Sequence, residues 1–128
     1  WKGFRICPLI CYDLRFPVWS RNLDVAPYDL LIYVANWPNR RSHHWRSLVP
    51  ARAIENQSFV AAVNVFGTDG NQLEYQGDSM LTDFSGQTIC QISGREGILS
   101  AELTLDELIN FRQQLPFLKD ADAFQLRV

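Results

Sequence analysis

Short apolar runs alternate along the chain with clusters of turn-forming residues, and the run lengths predict most of its elements. Phe4–Cys11 is mostly apolar on both alternating faces and lies between Gly3 and Asp13. Such a run predicts a strand covered on both sides. Pro8 cannot donate to a ladder, so the strand is expected at a sheet edge or with a bulge. Pro17 fits the first residue of a short helix reaching about Leu23. Asp29–Ala35 is a second continuous apolar run, ended by Asn36, Trp37 and Pro38. Ser42–Gln57 carries Trp45, Leu48, Val49 and Ala53 at helical spacing. Pro50 inside it is expected to kink or restart the helix. Phe59–Val65 is a third buried strand.

Strand, helix and strand in succession predict an α/β layer. Gly67–Gly77 is polar and turn-rich and is read as a loop. Ser79–Phe84 and Gln87–Ile92 are short strands joined by a Ser85-Gly86 turn. Gly97–Leu103 is expected to be a last strand. Thr104 and Glu107 fit a capping box that opens a helix to about Leu115, which Pro116 stops. The tail from Phe117 has aromatics but no period. No repeat, linker or boundary divides the chain, so residues 1–128 read as one unit.

Composition narrows the class. The 128 residues are 47% hydrophobic and 20% charged, near globular averages, which excludes disorder and fibrous repeats. Twelve basic against 14 acidic residues leave a net charge of −2, which argues against broad phosphate neutralisation on nucleic acid. No apolar run approaches the ~18 residues of a membrane span. Three cysteines at unlike spacings make no disulfide framework, and a reducing, cytoplasmic setting is expected.

Cys11 is the leading chemical candidate. It ends a strand just before an expected helix start, where open α/β sheets bind ligands and a helix N-terminus would favour the thiolate, though a buried structural cysteine has the same sequence. Arg15 follows four residues later. Its planar fork suits a carboxylate, either a ligand's or that of Asp13 or another acidic residue. Asn36 and Trp37 follow the second strand end on the same rim and offer an amide and an indole to a small polar ligand, or simply form a turn. Arg52 and Glu55 are three apart on the helix and pair. A metal site from Cys7, Cys11, His43 and His44 is disfavoured. The cysteines stand ~13 Å apart along a strand, and adjacent helical histidines point ~100° apart. No phosphate-cradling glycine pattern and no Gly-x-Ser-x-Gly elbow is present.

Together these blocks resemble a known family. Cys11-Tyr12-Asp13-Leu14-Arg15-Phe16-Pro17 resembles the nucleophile motif of the nitrilase (carbon–nitrogen hydrolase) superfamily. LLIYVANWP at 30–38, HWRSLVPARAIENQSFVAAVN at 44–64 and GDSMLTDFSG at 77–86 follow in the same order. The subgroup it most resembles is the bacterial omega-amidases, which cleave omega-amides such as 2-oxoglutaramate to the dicarboxylate and ammonia. The resemblance implies a four-layer α-β-β-α sandwich and a Glu–Lys–Cys mechanism without metal or organic cofactor. Cys11 would be the nucleophile, and the Tyr12 backbone N–H would stabilise the oxyanion. Arg15, Asn36 and Trp37 would line the pocket, with Arg15 gripping a substrate carboxylate.

In that family the catalytic Glu and Lys precede the nucleophile. Only ten residues precede Cys11, with Lys2 and no Glu among them. The chain is therefore expected to be the C-terminal half of one such domain and to be inactive alone. The missing half, or a second copy in an oligomer, is expected to cover its exposed sheet, with the tail from Phe117 as a further contact. Alternatives are another branch, such as an N-carbamoyl amino-acid hydrolase or a deaminated-glutathione amidase, and a non-catalytic binding module.

Overall fold

The computed structural model describes residues 1–122, 124 and 125. Five strands form one sheet in the order β1-β2-β3-β6-β7. They are β1 (Ile6–Ile10), β2 (Leu30–Ala35), β3 (Phe59–Asn64), β6 (Ser79–Thr82) and β7 (Thr88–Ile92). The first three are parallel, with Ile10 beside Val34 and Val34 beside Val63. The last two are antiparallel. Pro8 is tolerated because β1 has a neighbour on one side only.

Helix α1 (Ser42–Asn56) connects β2 to β3 and packs on one face of the sheet. Its Trp45, Val49 and Ala53 join Leu31, Tyr33, Val60, Ala62 and Met80 in a single core. The helix passes through Pro50 without interruption, contrary to a restart there, because the buried stripe on both sides of the proline holds the axis. Gln57 ends it in the left-handed conformation (φ 45°), its N–H bonding back to Ala53 and Ile54.

The opposite face of the sheet is apolar and largely uncovered among the described residues. Ile10, Val34 and Val63, adjacent across β1–β3, are 67%, 49% and 54% exposed. The mixed sheet with α1 on one face is thus an α-β layer pair. Helix α2 (Leu105–Gln114) sits at the N-terminal ends of the strands. There its Arg112 bonds the Gln57 and Tyr28 carbonyls and pairs with buried Asp29 at 2.9 Å. No helix among the described residues is long and apolar enough to cross a membrane.

Several elements differ from expectation. The helix from Pro17 stops as a 3-10 turn at Ser20. Asn22 is drawn away instead, donating its backbone N–H to Asn56 Oδ1 and its side-chain amide to the Asn56 and Tyr28 carbonyls. The segment 67–77 is not all loop. Strands β4 (Phe66–Thr68) and β5 (Glu74–Gln76) pair around a turn in which Asp69 Oδ1 accepts the Asn71 and Leu73 N–H groups. Gly97–Leu103 forms no strand, and Ile98 stands 94% exposed. Thr104 is the N-cap of α2, but its side chain makes no capping bond, so the capping box does not form. The tail from Phe117 starts with a 3-10 turn (Phe117–Asp120), and its residues 123 and 126–128 lie outside the described residues.

Candidate active site

Parallel strands direct their C-terminal ends to one rim, and the candidate residues collect there. Cys11 follows β1 directly with φ 43°, a left-handed conformation costing a non-glycine residue ~1 kcal/mol. It opens a five-residue 3-10 turn, Cys11–Arg15. In such a turn the first N–H groups, that of Tyr12 included, have no partner within the turn. The Asp13 carboxylate closes the turn by accepting the Ile10 N–H at 2.9 Å. From below, Arg52 donates Nε (3.2 Å) and Nη2 (2.7 Å) to the Leu14 carbonyl while Nη1 meets Glu55 at 3.0 Å. The expected Arg52–Glu55 pair is therefore present, and Arg52 also anchors the turn that carries Cys11.

Cys11 and Asn36 share the wall of an open cavity of ≈ 520 Å³, together with Asn64 and the apolar Ile10, Val34 and Val63. The cavity lies where the uncovered sheet face meets the strand ends. Asn64 was not anticipated, although a polar residue ending the run FVAAVN marks it. Its Oδ1 accepts the Trp37 N–H at 2.6 Å, and its Nδ2 donates to the Trp37 and Gly77 carbonyls. Asn64 thereby ties the turn after β2 to the strand beside it. The β4–β5 hairpin stands alongside, where Asn36, Asp69 and Tyr75 line a smaller cavity of ≈ 130 Å³.

Trp37 is buried and gives its indole N–H to the Arg41 carbonyl at 2.8 Å, so it offers a ligand no hydrogen bond. Its ring instead lies under Arg15, whose Cζ is 4.9 Å from the ring centroid. Among the described residues Arg15 pairs with no carboxylate, and Asp13 is occupied by Ile10. Contrary to expectation, neither Arg15 nor Trp37 lines the larger cavity.

Cys7 and Cys11 both pack against the core. Burial pushes the Cys7 thiol up from its ordinary value, which suppresses its thiolate. All three cysteines are free. No three His, Cys, Asp or Glu side chains gather as a metal site among the described residues.

A parallel β-α-β core, an apolar sheet face and a cysteine on a strand-end turn define the class. The carbon–nitrogen hydrolase family model matches residues 2–113, and the chain belongs to that family. It is 50% identical over 127 residues to an omega-amidase (YafV) of Escherichia coli, covering 98% of this chain and 49% of that protein. It is 41% identical over 118 residues to a 2-oxoglutaramate amidase of Bacillus subtilis, covering 92% and 45%. A Xanthomonas campestris CN-hydrolase superfamily protein, solved with an arsenic adduct in its active site, superposes with a TM-score of 0.95 at 47% identity. That match covers 99% of this chain and 50% of the other. An amidase from a Nesterenkonia species, with acrylamide added at its active-site cysteine, superposes with a TM-score of 0.74 at 28% identity, covering 91% and 46%. The fold is that of the nitrilase superfamily. The chain spans about half the length of the curated relatives it matches.

Proposed function

We propose that this chain is the C-terminal part of a single carbon–nitrogen hydrolase domain and carries the nucleophile of an amidase acting on a small omega-amide such as 2-oxoglutaramate. One observation carries the reading. Cys11 ends a parallel strand with a left-handed backbone and faces an open cavity, in a chain half identical to an omega-amidase.

In this mechanism a general base takes the Cys11 thiol proton as Sγ attacks the amide carbon, and the carbonyl electron pair moves onto oxygen. The Tyr12 N–H meets that oxyanion. Collapse breaks the C–N bond, the amine takes a proton from a general acid, and ammonia leaves behind a thioester. Water, deprotonated by the same group acting as base, then adds, and C–S cleavage returns the thiol and releases the carboxylate. Family resemblance assigns the acid–base role to a Glu and the second oxyanion donor to a Lys. We place both on an N-terminal half that covers the apolar face around Ile10, Val34 and Val63. Arg15, which pairs with no carboxylate among the described residues, binds the far carboxylate of the substrate. Asn36 lines the cavity, and Trp37 supports Arg15. No metal or organic cofactor takes part. We take the compartment to be the reducing cytoplasm, where free cysteines persist.

Ammonia release from 2-oxoglutaramate tests the reading. We expect none from this chain above a Cys11→Ala control, and turnover when a half bearing the Glu and Lys is supplied. Turnover by the chain alone would sink the half-site assignment. An assembled enzyme that cleaves only N-carbamoyl amino acids or deaminated glutathione would move the substrate to another branch. Failure on every amide would leave a binding module.

A further inference from the structure

We propose that His44 is a positioning residue that fixes how Arg15 presents its guanidinium to the substrate carboxylate, an inference that rests on the carboxylate-binding role given to Arg15 above. The guanidinium lies over two rings, with Cζ 4.9 Å from the Trp37 centroid and 5.9 Å from that of Tyr12. Stacking on ring faces sets the height of the cation but barely resists its rotation or sliding over the ring. The direction comes from a third contact. Arg15 Nη2 and His44 Nδ1 are 3.0 Å apart. An arginine has five donors and no acceptor, so Nδ1 accepts and the ring proton sits on Nε2.

Two of the supports, Trp37 and His44, come from outside the turn that carries Arg15 and Tyr12. Trp37 is locked by Asn64 and Arg41. His44 lies in the first turn of α1, next to fully buried Trp45, whose ring is 5.6 Å from that of Trp37. Arg15 itself ends the five-residue turn that begins at Cys11, so its direction is set relative to the nucleophile.

The chemistry of the tether matters. An internal Asp or Glu in this place would form a charge-assisted pair and compete with the substrate. A neutral imidazole nitrogen supplies direction while leaving the positive charge and four of the five N–H donors for a ligand. Asp13, the acid nearest in sequence, is held on the Ile10 N–H.

The test uses the assembled, active enzyme and two substrates: 2-oxoglutaramate and an uncharged aliphatic amide of similar length. His44→Phe keeps an aromatic ring but removes the acceptor, whereas His44→Asn returns an acceptor oxygen close to the Nδ1 position. We expect His44→Phe to raise KM for the carboxylate substrate about tenfold, the scale of one lost hydrogen bond to a charged group, with kcat little changed. The uncharged amide should keep its kcat/KM, and His44→Asn should recover most of the loss. Equal losses on both substrates, no loss, or no recovery in His44→Asn would overturn the role of His44. Arg15→Met separates the two readings. A selective loss on 2-oxoglutaramate in that variant upholds Arg15 whatever His44 does, and an unselective effect removes both.

Discussion

Arg52 lies beneath the turn that carries Cys11, and its removal gives the sharpest check on how that turn is held. The side chain is buried, and its two bonds converge on the carbonyl of fully buried Leu14. Arg52→Met keeps much of the volume and removes the donors. A hydrogen bond from a charged donor contributes ~1.5–3 kcal/mol, and an orphaned buried carbonyl adds ~1–3 kcal/mol. The Glu55 carboxylate is 40% exposed, so loss of that pair adds only ~0–1 kcal/mol. These effects overlap, and a net loss of about 3–4 kcal/mol is expected, a large share of the ~5–15 kcal/mol stabilising a domain. Arg52→Lys can replace one donor but not the fork, and should lose about half as much. Denaturant unfolding reads both losses. Alkylation of Cys11 by iodoacetamide, with Cys7 and Cys90 replaced by Ser, reads the turn itself and should change in Arg52→Met before global unfolding. A loss below ~1 kcal/mol with unchanged alkylation would refute the claim that the Arg52–Leu14 contact fixes the Cys11 turn.

Three further outcomes are expected. Pro50→Ala restores a backbone donor in the middle of α1 and should stabilise the protein by about 1–2 kcal/mol, read as a higher denaturation midpoint at constant slope. The Leu73 N–H, then the Asn71 N–H and the Tyr75 hydroxyl, hold the Asp69 carboxyl below its ordinary value. A carboxyl depressed in the folded state stabilises above its unfolded pKa and loses that contribution as pH falls through the folded value. The β4–β5 turn should therefore persist through the usual carboxylate range and loosen only below it, as followed by the Asn71 and Leu73 amide signals, and Asp69→Asn should abolish that titration. Light scattering of the chain by itself should show association through the apolar face, and Val34→Asp should weaken it. A monodisperse wild-type monomer would contradict that.

Wherever a segment's own pattern decided its state, the sequence was enough. The runs at 30–35 and 59–64 became adjacent parallel strands, and the stripe of Trp45, Val49 and Ala53 became the buried side of α1. The position of Cys11 at a strand end follows from the same local reading, because an apolar run ends there, although a 3-10 turn stands in place of the expected helix start. Readings failed where distant partners decided. Gly97–Leu103 has strand-like residues but no strand beside it, and a lone strand leaves its backbone groups unpaired. The polar run at 67–77 hides a hairpin because Asp69 organises its turn through contacts that composition does not reveal.

The same division runs through the site. Sequence by itself determined which residues could carry the chemistry and that Cys11, Arg15 and Asn36 would follow strand ends. Only the tertiary structure decided their surroundings. It engaged the Trp37 indole with Arg41, brought Asn64 across 27 positions to clamp Trp37, and set Arg52 under Leu14 from 38 positions away. Periodicity reports which side of an element faces the core, a property of near neighbours. A hydrogen bond between remote segments depends on where the sheet and helix place both backbones, and no local pattern encodes that distance.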